Sequence, residues 1–230
     1  MPSVYVTVPN GDGWLHKHVH FVICRILGDG RYKIRHDCPT HSPYVQNLTK
    51  CMWDFLNGGE DYWLSMDTDN PPQNNPLDLI DYDCDLVGCP TPVWHSEVIG
   101  DRPFYLNALD KKDDGFTPHE PAEGLQQVDA IGSGCFLVAR RVMDTLKDQM
   151  PFMRTWGSDG LVKMGGDYTF CGKVKEAGFK IWAHYDYVCR HFNEVELLEV
   201  IKAFGAMYER NKRRENADGD VLVEATETSD

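Results

Sequence analysis

Tyr62-Trp63-Leu64-Ser65-Met66-Asp67-Thr68-Asp69 is the stretch on which the reading of this chain turns. Residues 61–66 are mostly bulky and apolar, and Gly58-Gly59 separates them from a helical pattern ahead, so the run reads as a strand. It ends on two carboxylates at i and i+2, which an extended chain projects to the same side. Two hard oxygen ligands at the end of a buried strand suit a divalent cation that carries a diphosphate. A bare Asp-x-Asp is common in acidic turns. Its place after an apolar strand is what gives it weight.

Upstream, residues 4–8 (Val-Tyr-Val-Thr-Val) form a β-branched run closed by the turn Pro9-Asn10-Gly11. Residues 14–27 have helical spacing, with Leu15, Val19, Val22, Ile23 and Ile26 on one stripe. Residues 32–34 make a short strand. Ser42 then caps a helix with Pro43 at its first position, Val45, Leu48, Met52 and Phe55 share a face, and Gly58-Gly59 stops it. The strand before Asp67 is therefore the third β in β-α-β-α-β, the opening of a doubly wound sheet. Such sheets bind ligands at the carboxyl ends of their strands.

Downstream, residues 75–82 read as a short helix and 85–89 as a strand. Residues 92–126 hold Pro92, Pro103, Pro118, Pro121 and the turn Lys111-Lys112-Asp113-Asp114-Gly115. They read as long loops with one short strand at 104–108. Residues 128–131 and 135–139 are a strand interrupted by Gly132-Ser133-Gly134, leading into a helix over 140–149. A helix over 167–177 closes at Gly178, and short strands follow at 180–183 and 187–191. Asn193 with Glu196 starts a last amphipathic helix carrying Leu197, Leu198, Ile201, Phe204 and Tyr208. The expected architecture is α/β: one domain over residues 1–214, a Rossmann-like mixed sheet with helices on both faces, and an acidic, flexible tail at 215–230.

A hydrophobic fraction of 42% over 230 residues supports such a core. The formal charge of −13 disfavours a general nucleic-acid binder. Asp218, Asp220, Glu224, Glu227 and Asp230 supply five of those charges, leaving −8 for the body. The one basic segment, Arg210-Asn211-Lys212-Arg213-Arg214, reads as a solvated helix end set favourably against the dipole. Holding a phosphate-rich acceptor is its alternative role. None of the eight cysteines forms a Cys-x-x-Cys pair, so their spacing offers no zinc site and points to mostly buried free thiols. No apolar run is long enough to span a bilayer and no secretory signal follows Met1, which points to a cytoplasmic protein.

Two later motifs carry chemistry. In Gly165-Gly166-Asp167-Tyr168-Thr169-Phe170, Asp167 stands in the first turn of a helix, where the dipole favours its ionised form. A plain helix cap would look the same. His191, in Arg190-His191-Phe192, ends the strand that follows. His16, His18 and His20 alternate within a helical stretch, so they do not share a face and form no metal site. Trp156, Trp182 and Tyr168 are large aromatics suited either to the flat face of a ligand or to the core.

In their order, these motifs resemble those of GT-A fold glycosyltransferases, family-2-like and of the Asp-x-Asp type. The strand Tyr62–Met66 with Asp67-Thr68-Asp69 is similar to their metal-binding strand end. Gly165-Gly166-Asp167-Tyr168-Thr169-Phe170-Cys171 with Glu176-Ala177-Gly178-Phe179-Lys180-Ile181-Trp182 resembles their Gly-Glu-Asp-x-x-Phe-Cys block and its sequel. Gly166 departs from it, since an acidic residue usually precedes the aspartate. The resemblance implies Asp67, Asp69 and His191 as ligands to Mn²⁺ (or Mg²⁺), the imidazole favouring Mn²⁺. It implies Val8, Pro9, Asn10 and Gly11 around the nucleotide with Asp67 and Thr68, and Gly132, Ser133, Gly134 and Trp156 on the acceptor side. Asp167 would be the general base of an inverting enzyme, or orient the acceptor or sugar in a retaining one.

The implied activity is hexosyltransferase-like: a sugar moves from a nucleoside-diphosphate sugar, UDP being the commonest nucleotide, to a hydroxyl. The acceptor classes are polysaccharide, protein, small molecule, or hydroxymethylated bases of viral DNA. A nucleotidyltransferase is the enzyme alternative, but it usually brings a basic glycine-rich loop after the first strand, and Pro9-Asn10-Gly11-Asp12-Gly13 has no basic residue. A nucleotide-sugar-binding module without turnover is the non-enzymatic one.

Overall fold

The computed structural model describes residues 1–94, 104–113, 115–194 and ten positions between 197 and 212. Glu196, the basic segment apart from Lys212, and the acidic tail lie outside the described residues. Two compact units result: Met1–Val93 with Tyr105–Phe192, and Trp94–Phe104 with Asn193–Asp230.

Along the chain the strands are β1 (Ser3–Thr7), β2 (Lys33–Asp37), β3 (Tyr62–Met66), β4 (Leu86–Gly88), β5 (Pro92–Trp94), β6 (Phe104–Leu106) and β7 (Ala108–Lys112). There follow β8 (Gly115–Pro118), β9 (Leu125–Val128), β10 (Ala130–Ile131), β11 (Cys135–Ala139), β12 (Thr155–Trp156), β13 (Val162–Met164) and β14 (Ile181–His184). The helices are α1 (Lys17–Leu27), α2 (Tyr44–Gly58), α3 (Arg140–Leu146) and α4 (Gly166–Glu176).

Seven strands form one mixed sheet in the order β2-β1-β3-β11-β4-β14-β9. β1 is parallel to β2 and β3, and β4 to β14, while β11 runs antiparallel between β3 and β4 and β9 antiparallel on β14. Because side chains alternate along a strand, both faces are covered. Tyr5, Trp63, Leu86, Phe136 and Val138 share one core with Leu48, Met52 and Phe55 of α2, Val142 of α3 and Phe170 and Val174 of α4. Val4, Val6, Leu64, Met66, Val87 and Leu137 meet α1 through Val19, Val22, Ile23 and Ile26, and a 3₁₀ turn at Pro76–Tyr82 through Leu77 and Leu79. The chain is α/β with helices on both faces of a mixed sheet, as expected.

Several local expectations change. Residues 75–82 fold as that 3₁₀ turn, capped by Asn75, rather than as an α-helix. α1 begins at Lys17 with His16 as its cap, so His16 precedes the helix and the strict alternation with His18 fails. Their rings lie 5.2 Å apart and both stack on Phe192, at 3.7 and 5.3 Å. Pro43, not Ser42, occupies the cap of α2, with no side-chain bond, and Tyr44 opens the helix.

Residues 92–126 hold β5–β9 where mainly loops were expected. These strands are short and half-polar, with little period-2 signal. The turn at 111–115 is the tip of the β7–β8 hairpin, and β9 is an edge strand. The β12–β13 hairpin was likewise not anticipated. The strand expected at 187–191 is instead a 3₁₀ turn, Tyr185–Tyr187, followed by a single antiparallel bridge between Cys189 and Pro72. Too few neighbouring backbone groups are in register there to extend a ladder.

In the second unit the described positions from 197 to 212 are helical. Leu197, Leu198, Ile201, Phe204 and Tyr208 are exposed, and Phe104 lies 6.0 Å from Phe204. No helix among the described residues is long and apolar enough to cross a membrane.

Candidate active site

The parallel strands β1, β3 and β4 end at one edge of the sheet, and the antiparallel β11 begins there. That crossing brings Gly134 beside Asp67, whose backbone N–H donates to the Gly134 carbonyl at 2.8 Å. A cleft of about 440 Å³ opens at this edge. Pro9, Gly11, Asp12, Tyr44, Asp67, Thr68 and Asp69 line it, with His41, Ser42 and Asn47. Among the described residues its lining includes no lysine or arginine.

The acidic triplet is held by three residues that sequence reasoning missed. The Tyr44 hydroxyl donates to Asp67 Oδ1 at 2.5 Å. Asn70 Nδ2 donates to Asp69 Oδ1 at 2.9 Å and reaches Asp67 Oδ2 at 3.4 Å. The His16 backbone N–H donates to the Thr68 carbonyl at 2.9 Å. Burial pushes the Asp67 carboxyl up to about 7, against the Tyr44 bond, and the nearby charges of Asp69 and Asp167 add to the rise. Asn70 directly follows the triplet, but a helix-opening tyrosine carries no sequence signal for this contact.

His191 arrives from the far side of the sheet edge. Its Nδ1 lies 2.7 Å from the Pro92 carbonyl, an acceptor only, so Nδ1 carries the proton. The Nε2 then faces Asp69 Oδ2 at 3.6 Å. Without a cation, the Asp69 carboxylate raises the His191 pKa, placing a proton where a cation would bridge the pair. A backbone carbonyl fixing the tautomer from behind is the usual support of a ligating imidazole, so Asp69 and His191 fit an ion. Asp67 does not join them in a tight trio. Among the described residues, the group of three metal-ligating side chains within 4.8 Å of one another is Cys89, Cys135 and Cys189.

Gly132 and Ser133 border a separate small hollow with Asp167, Ile131, Phe136, Phe152 and Phe170. Asp167 lies in the first turn of α4, after a Gly165 cap, and its Oδ1 accepts the Tyr168 backbone N–H at 2.9 Å. Burial among these apolar side chains raises its pKa, opposed by that bond. Gly166 has a structural cause: a Cβ there would press into the Phe152 backbone carbonyl, so no acidic side chain fits. Gly134 is similarly confined, since a Cβ would come within 2.6 Å of Thr91 Oγ1.

Of the remaining expected site residues, Val8 is fully buried in the core and offers only backbone. Asn10 turns back to accept the Gly13 N–H at 2.7 Å. Trp156 is 61% exposed on β12, Tyr168 stacks on Phe116 at 5.3 Å, and Trp182 packs against the core.

No family model and no curated protein matches the chain. Among solved structures, A197 from STIV aligns with a TM-score of 0.54 at 12% identity, covering 84% of this chain and 87% of that one. GalNAc-T7, solved with UDP, GalNAc and Mn²⁺, gives 0.44 at 11% identity over 85% of this chain and 44% of that one. UDP-glucose pyrophosphorylase with UDP-glucose gives 0.46 at 8% identity over 91% and 99%. At these identities the likeness is one of fold, and A197 carries it.

Proposed function

We propose that this chain is a metal-dependent glycosyltransferase of GT-A type, moving a sugar from a nucleoside-diphosphate sugar to an acceptor hydroxyl. The observation that carries it is the arrangement along one sheet edge: an Asp69–His191 pair preset for a cation, Asp67 between, and a half-buried Asp167 beside the glycine loop. The nucleotide would lie in the cleft along Pro9, Gly11 and Asp12, with Thr68 and Asp67 meeting its ribose or a water. Asp69 and His191 would hold Mn²⁺, which supplies Lewis-acid stabilisation of the leaving diphosphate. Gly132, Ser133 and Gly134 would lie on the acceptor side through their backbone groups alone, since Asn107 and Thr91 fill the space that side chains at Gly132 and Gly134 would take. Asp167 takes the proton from the acceptor hydroxyl as its oxygen attacks the anomeric carbon, a role that contributes about 10²–10⁴ in rate.

The absence of lysine and arginine among the described residues lining the cleft favours this reading over nucleotidyl transfer, which calls for a basic phosphate cradle. The decisive measurement is diphosphate release from a panel of nucleotide sugars, UDP-sugars first, with and without Mn²⁺. Asp69→Ala and His191→Ala should each cut metal-dependent turnover by at least about 100-fold. Near-normal activity and metal response in both would refute the assignment. Binding of nucleoside diphosphates with no turnover of any donor would favour a non-catalytic module.

A further inference from the structure

Cys89, Cys135 and Cys189 are separated by tens of residues in sequence, and the fold brings their sulfurs within 4.8 Å of one another. Cys89 follows β4 and Cys135 opens β11, joined where the Cys89 N–H donates to the Cys135 carbonyl at 2.9 Å. Cys189 comes from the segment after β14, bonded through its N–H to the Pro90 carbonyl at 2.9 Å. All three are at most 2% exposed, and none is in a disulfide. Cys51, Cys84 and Cys171 are also buried. A buried cysteine commonly packs as a small apolar group, a role that needs no meeting of three sulfurs from three segments.

We propose that this trio is a second metal site, a closed thiolate centre for a thiophilic ion, Zn²⁺ or Cu⁺, separate from the acidic site. With a Zn–S bond of ~2.3 Å, sulfurs around one ion stand about 3.8 Å apart, within reach of the observed grouping. The buried Thr91 hydroxyl adjoins the trio through the Cys89 carbonyl, at 3.4 Å, and offers a neutral oxygen for a fourth position. Three thiolates buried to this degree suit a structural centre rather than an open catalytic one. It would pin β4 and β11 to the segment that delivers His191, two residues beyond Cys189. The ion would enter during folding, since the sulfurs are covered afterwards.

The test is elemental analysis of the reduced, full-length protein after dialysis against a mild chelator. One zinc or copper per chain is expected, and the element found separates the two ions. The ion should persist in Asp69→Ala and in Cys51→Ser, and be lost in Cys135→Ser and Cys89→Ser. Independently, reduced, metal-free wild type refolded in the presence of Co²⁺ should give an intense thiolate-to-cobalt charge-transfer band, and refolded with Cu⁺ it should withhold that ion from a competing chelator. Folded wild type that holds no ion, shows no such band and withholds no Cu⁺ overturns the proposal. So does an ion that remains in both cysteine variants. If those variants fail to fold, the wild-type refolding measurements decide. Loss of turnover in Asp69→Ala with this ion retained would show that the two sites stand or fall separately.

Discussion

In the proposed mechanism Asp167 acts directly on the acceptor and Tyr44 acts through its bond to Asp67. A carboxyl whose pKa is raised by burial binds protons more tightly in the folded state than in the unfolded one. Its ionisation therefore opposes folding, and that cost grows as pH rises from the unfolded pKa through the folded one. Asp167→Asn should thus be at least as stable as wild type at neutral pH, while kcat falls about 10²–10⁴-fold. Wild-type kcat/KM should climb with pH through an apparent pKa above the ordinary carboxylate range, and the variant should lose that limb. A variant that is less stable and keeps the limb would remove Asp167 from the role of base. Tyr44 acts at one remove, through its bond to Asp67. Because Asp67 would reach the ion only through a bound water, Tyr44→Phe should weaken Mn²⁺ activation by about 10-fold at most, the lower end for supporting groups, with a smaller change in kcat at saturating metal. A metal titration of the activity reads this directly.

The start of α4 carries both Asp167 and the crowded Gly166. A helix-interior glycine ordinarily costs about 1 kcal/mol relative to alanine, so Gly→Ala normally stabilises. Gly166 should reverse that sign, because an added Cβ meets the fixed Phe152 carbonyl rather than a side chain that could swing away. Gly166→Ala is expected to lower stability by about 1–3 kcal/mol, measured by urea unfolding, whereas Gly172→Ala, with open space around it, should not. The same crowding accounts for the missing acidic residue before Asp167. At the start of α2, Pro43 as the cap leaves Tyr44 free to turn its hydroxyl onto Asp67.

In the first unit, the sheet is centred on Trp63, fully buried between β1 and β11. The Phe136 and Phe152 rings meet it edge-on at 5.3 and 5.8 Å, and its indole N–H donates to Thr7 Oγ1 at 2.8 Å. Trp63→Ala should cost about 3–5 kcal/mol, seen as a large fall in the unfolding midpoint, and leave Thr7 without its partner.

Within this unit, residues 4–8 and 62–66 and the helices at 17–27 and 44–58 were legible because both sheet faces are buried. Continuous apolar strands and amphipathic helices then write their positions into local pattern. The acidic triplet was legible for the same reason: its strand announces itself, and the carboxyl edge follows from β-α-β order. Strands β5–β9 were not, since they are short and half-polar and gain their pairing from distant neighbours. Nor were Tyr44, which reaches Asp67 from the start of α2, and the cysteine trio, which meets where β11 starts beside the end of β4 and the segment after β14. Local sequence can specify a strand and the residue at its end. Which side chains converge there depends on strand order and register, and those are settled by long-range packing.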